Sequence, residues 1–183
     1  MRMPVLALSA LLLASPGFSQ AKKTAPAKGA EVAEPKVNWD GEWSLIPDES
    51  DKLDAAIDEH LKDQNFALKL YWKKKLKNAC TVPQMLDILN GIDGFSVTLG
   101  RERPAECAPD GTASAWKRSD GEAFQVTLRK EGPRMTQTFQ GDGYTLTNVY
   151  SMRKSGNTLA LQITYAHPKL DPFSYKLVYK RTE

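Results

Sequence analysis

Two histidines and two cysteines are all the imidazoles and thiols that the chain offers for soft-metal binding, thiol chemistry or proton transfer near neutral pH. His60 lies on a stretch with helical spacing and His167 precedes Pro168, so the two share no metal-ligand pattern. Cys80 and Cys107 form no Cys-x-x-Cys pair, which argues against disulfide exchange. No serine stands in a nucleophile elbow. No pair of carboxylates stands out from the charged background, as a glycosidase requires. Gly91-x-x-Gly94 and Gly141-x-Gly143 read as hairpin turns rather than a phosphate-cradling loop. With no nucleophile, base and orienter together, the sequence predicts a protein that is not an enzyme and uses no metal or other cofactor.

The positive signal is for binding. Gln137 and Asn148 fall at inward positions of strand-like segments, in the company of Phe139, Tyr150, Tyr165 and Tyr175. Aromatic faces supply contact area for an apolar ligand, and amide groups can orient its polar head. These six residues are the candidate ligand-binding positions. The same pattern also describes a filled core with a small, mutually satisfied polar cluster.

The elements that position them form an antiparallel meander. Phe124, Val126 and Leu128 alternate with polar residues, as do Met135, Gln137 and Phe139. Tyr144 to Tyr150, Leu159 to Tyr165 and Phe173 to Tyr179 continue the two-residue period, so each strand has one wet and one buried face. Glycine turns separate them at Ser119-Asp120-Gly121, Glu131-Gly132-Pro133, Gly141-Asp142-Gly143 and Ser155-Gly156-Asn157. Earlier strands are expected around Trp43, Met85–Leu89, Phe95–Leu99 and Ala113–Trp116, with a polar loop over Arg101–Gly111.

Between the first and second strands, residues 48–79 predict a helical insertion. Leu53, Ile57 and Leu61 recur at helical spacing, with Asp48 or Ser50 as the expected N-cap. Residues 64–79 fit a strand through Phe66, Leu68, Leu70 and Trp72, and a helix through Leu68, Trp72 and Leu76. The lysine-rich sequence favours the helix. The run Lys73-Lys74-Lys75 reads as a solvated helix face, with contact to anionic lipid or glycan as the alternative.

Residues 1–21 read as a cleavable signal peptide. Arg2 is the basic start, and Val5–Ala14 is an apolar run too short to span a bilayer. Cleavage after Ala21 fits, with Ser19 as the alternative, and the expected location is periplasmic or secreted. Residues 22–37 lack apolar periodicity and read as a flexible Ala/Lys/Pro linker. No transmembrane anchor is expected. A net charge of +3 without a clustered basic face argues against nucleic acid as a partner. In an exported protein an even cysteine count predicts a Cys80–Cys107 disulfide, with two buried thiols as the alternative.

Gly41-x-Trp43 on the first strand and Tyr179-Lys180-Arg181 on the last resemble the calycin group, that is, lipocalins and their relatives. The chain is also similar to uncharacterised exported lipocalin-like proteins of Gram-negative bacteria. The resemblance covers residues 38–183. It implies a mainly β, up-and-down barrel of about eight or nine strands, with Trp43 packed at the barrel base against Arg181. The helical insertion departs from the lipocalin pattern. Two functional readings follow. One is a periplasmic barrel holding a small apolar or amphipathic ligand. The other is a solid, non-enzymatic envelope module that contacts a protein, anionic lipid or glycan. Interior volume separates them.

Overall fold

A computed structural model describes residues 37–91, 94–108 and 110–182. The expected signal peptide, and the linker before Val37, lie outside the described residues. Strand β1 (Gly41–Leu45) leads through a 3-10 turn, Pro47–Glu49, into helices α1 (Leu53–His60) and α2 (Phe66–Ala79). Then come β2 (Met85–Gly91), β3 (Gly94–Leu99), β4 (Ala105–Cys107), β5 (Ser114–Lys117), β6 (Ala123–Glu131), β7 (Arg134–Gln140), β8 (Thr145–Met152), β9 (Thr158–His167) and β10 (Leu170–Arg181).

All ten strands join one sheet in the order β4-β3-β2-β1-β10-β9-β8-β7-β6-β5. Because β1 pairs antiparallel with both β2 and β10, the meander curls back on its own start. The edges β4 and β5 lie against each other without a ladder, so the barrel is nearly closed. Among the described residues the strand count is ten, not eight or nine. The additional strand is β4, inside the segment expected to be a polar loop. Three residues are too few for alternation to register in sequence, yet Ala105 and Cys107 turn inward and pair with Val97 and Phe95.

Residues 66–79 are helical. Trp72 and Leu76, one turn apart, are its buried side chains, while the strand-like series Phe66, Leu68 and Leu70 is exposed. The expected capping of α1 by Asp48 or Ser50 is not what forms. Lys52 is the N-cap, without a side-chain cap bond. Beyond Leu45, β1 leaves β10, and the freed β10 amides need acceptors. Ser50 Oγ accepts from the Val178 amide at 2.9 Å, and the Asp51 carboxylate accepts from the Lys176 amide at 2.7 Å. The entry to the helices is therefore stitched onto the outside of β10, where it also buries Val178.

At one end, the barrel base, the Arg181 guanidinium lies 4.3 Å from the centre of the Trp43 indole. It also donates to the carbonyls of Asp40 and Asn38. Gly41 has φ +138°, and a Cβ there would sit 2.6 Å from Arg181 Nη1. The backbone requires glycine, and a Cβ would also push the guanidinium aside. At the other end α1 and α2 cover the barrel mouth. Ile57, Leu61, Trp72 and Leu76 are buried, His60 packs on Phe173 at 5.3 Å, and Trp72 packs edge-on to His167 at 4.9 Å. Both histidines thus serve the helix–barrel contact.

Candidate functional site

The inward polar residues of β7 and β8 are register partners, Gln137 opposite Asn148, and both are buried. The Tyr150 hydroxyl donates to Gln137 Oε1 at 2.9 Å, and Asn148 Nδ2 donates to the Tyr150 oxygen at 3.3 Å. Gln137 Nε2 donates to Cys107 Sγ at 3.4 Å. The network is largely closed on itself. Burial pushes the Tyr150 phenol and the Cys107 thiol up, so both stay neutral at physiological pH.

The expected Cys80–Cys107 disulfide is not formed; both are buried free thiols. Each is held by different neighbours. Cys80 closes the end of α2, its amide donating to the Leu76 carbonyl at 2.8 Å. Cys107 is committed on β4 to Gln137 and to the Ala105 carbonyl. Burial raises the Cys80 thiol to about 12.

Beside the network is an interior void of about 50 Å³, walled by Leu99, Trp116, Phe124, Phe139, Leu146 and Ile163. Asn148, Tyr175, Glu102 and Arg118 add polar atoms to its lining. A void of this size holds a water molecule or a few methylenes, against the roughly 300–1,000 Å³ of drug-sized pockets. The Tyr175 hydroxyl is already used, donating to the Thr81 carbonyl at 2.6 Å.

Over the mouth lies a larger cleft of about 490 Å³, between α2 and the β5–β6 turn. Tyr71, Lys74, Lys75 and Asn78 come from α2; Arg118, Asp120, Glu122, Tyr144 and Tyr165 come from the barrel rim. Ala79 and Arg118 border both spaces. Arg118 Nη2 donates to Asp120 and Glu122, each at 2.6 Å, while its side chain stays largely buried. Tyr144 stacks on Tyr165 at 5.1 Å, and its hydroxyl is buried without a hydrogen-bond partner beside Arg118 and Glu122. Burial, then the Glu122 carboxylate, push that phenol up.

The six predicted positions therefore divide. Phe139, Asn148 and Tyr175 line the void, Tyr165 lines the cleft, and Gln137 and Tyr150 serve the internal network. Sequence reasoning misses Arg118, Glu102, Trp116 and Tyr144 as site residues. The motif Arg118-Ser119-Asp120-Gly121-Glu122 carries a signal, a cation with acids two and four residues on, but its glycine makes it read only as a turn. Among the described residues, no three His, Cys, Asp or Glu side chains cluster as a metal ion would need.

No family model matches the chain, and no curated protein matches it in sequence. Solved structures do match. A structure named "REP1-NXSQ fatty acid transporter" superposes with a TM-score of 0.51 at 17% identity, over 79% of this chain and 96% of that one. The fold is a calycin-like barrel. A point mutant of the same transporter gives 0.50 at 17% identity, over 78% and 97% of the two chains. At these identities the likeness concerns the path of the backbone: the curled antiparallel meander, and nearly the whole length of the neighbour.

Proposed function

We propose that this protein is an exported, non-enzymatic calycin-like barrel that holds a small amphipathic molecule at its helix-covered mouth. The observation that carries the reading is the stacking of a polar cleft of about 490 Å³ on an apolar void, with Arg118 and Ala79 as their shared wall. The cleft offers Lys74, Lys75 and Asn78, the Asp120 and Glu122 carboxylates, and the unpartnered Tyr144 hydroxyl to a polar head. The void offers room for a short apolar end. A barrel of this fold carries the name of a fatty acid transporter in its neighbour, which makes an alkyl carboxylate the natural first probe. Export rests on the Arg2 and Val5–Ala14 signal, and a mature N-terminus near Lys22 is its check.

Calorimetric titration with hexanoate, octanoate and decanoate, and with the alcohols of the same length, tests the reading. Saturable binding is expected that weakens at least ten-fold in Arg118→Met and in Ala79→Phe. The void of only about 50 Å³ favours a second reading, a solid interaction module of the cell envelope. That reading takes over if neither probe series binds to folded protein.

A further inference from the structure

Helix α2 has two sides with different tasks. Trp72 and Leu76 fix one side to the barrel, and Asn65 caps the N-terminus by accepting from the Leu68 amide at 3.0 Å. The opposite side faces solvent. At its N-terminal half stand Phe66, 82% exposed, Leu70, 62%, and Tyr71, 51%. Large apolar side chains massed on one exposed helix face are unusual on a solitary protein surface. Phe66 and Leu70 sit one turn apart and are followed along the same line by Lys74. The helix carries five lysines and no acid. Lys73 and Lys77 are paired with Asp58 and Asp54 of α1, at 2.6 and 2.8 Å, whereas Lys69, Lys74 and Lys75 have no ion-pair partner among the described residues.

We propose that this face of α2 docks onto the surface of an anionic lipid bilayer. Phe66 and Leu70 enter the headgroup–acyl boundary, and Lys74 and Lys75 meet lipid phosphates. Apolar side chains flanked by unpaired cations are what an interfacial helix needs, since burial in the boundary and attraction to anionic headgroups act together. A second copy of the chain suits the face less well. A symmetric contact sets lysine against lysine, with no acid on α2 to offset the repulsion. Phe66 and Leu70 line neither the cleft nor the void, so the serine variant below probes this face apart from the cleft, which Lys74 and Lys75 also border.

The test is co-sedimentation of the protein with vesicles of phosphatidylcholine alone and of phosphatidylcholine mixed with phosphatidylglycerol. Binding is expected to the mixed vesicles, at least ten-fold weaker to the neutral ones, and falling as salt rises. The Phe66→Ser/Leu70→Ser variant should lose at least ten-fold in partitioning with an unchanged melting temperature, because both side chains are already in water. Lys74→Glu/Lys75→Glu should remove the preference for anionic vesicles. Equal binding to both vesicle types, or equal binding by wild type and the double serine variant, overturns the proposal. So does sedimentation velocity that shows a wild-type dimer lost in the serine variant, which assigns the face to a second copy.

Discussion

Replacing Gln137 by leucine removes the acceptor of the Tyr150 hydroxyl and the donor to Cys107 in one step. The phenol is then buried with only the Asn148 amide beside it. Leaving a buried polar group without its partner costs roughly 1–3 kcal/mol. The variant should unfold at correspondingly lower denaturant, while Gln137→Leu combined with Tyr150→Phe should recover part of the loss, because the orphaned hydroxyl goes too. A double-mutant cycle by urea unfolding checks this, and additive losses would show that the network is not coupled. At this scale the sequence is informative wherever a side chain's role follows from the face it occupies. Gln137, Asn148 and the aromatics turn inward because alternation dictates it. Arg118 could not be assigned, because its importance comes from where the β5–β6 turn meets α2, a contact between segments far apart in the chain.

Among the elements, the segment from Ile46 to Asp51 matters more than its length suggests. It supplies the acceptors for the Lys176 and Val178 amides after β1 has left β10. Ser50→Ala should leave the Val178 amide without its acceptor and cost about 1–2 kcal/mol. Hydrogen exchange should locate the effect, with faster exchange at Val178 and unchanged exchange at Val126 on β6, four strands away from β10. Equal acceleration at both sites would mean that the segment acts only on global stability. The sequence marks Ser50 correctly as a residue that binds backbone amides. It points to the wrong amides, because a polar side chain before a helix caps it by default unless a strand edge competes. The helical character of 66–79 is legible from composition. The short strand β4 is not, since periodicity needs more than three residues to show.

Taken whole, the molecule surrounds its interior with groups that must remain neutral. Burial raises Cys80 from an ordinary value near 9 to about 12, and Tyr165 from near 10 to about 12. Tyr144, Tyr150, Tyr175 and Tyr179 are raised as well, with burial the leading cause in each. In the unfolded chain these groups lose their protons first, so the unfolded state gains relative stability as pH rises. Their contribution is fully present below about pH 9 and is lost as pH climbs from there toward 12. The melting temperature should therefore be insensitive to these groups near neutrality and fall steadily above about pH 9. In a Tyr71→Phe background, which removes the exposed tyrosine, phenolate absorbance should rise with unfolding rather than before it. Cys80→Ala should flatten the first part of that fall, because it removes one of the two buried thiols, whose unfolded value is the lowest among these groups. Thermal melts read by circular dichroism between pH 7 and 11, alongside phenolate absorbance, decide it. Phenolate that appears in the Tyr71→Phe background while the fold is intact would mean that water reaches the buried tyrosines, and that the interior is more open than a void of about 50 Å³ allows.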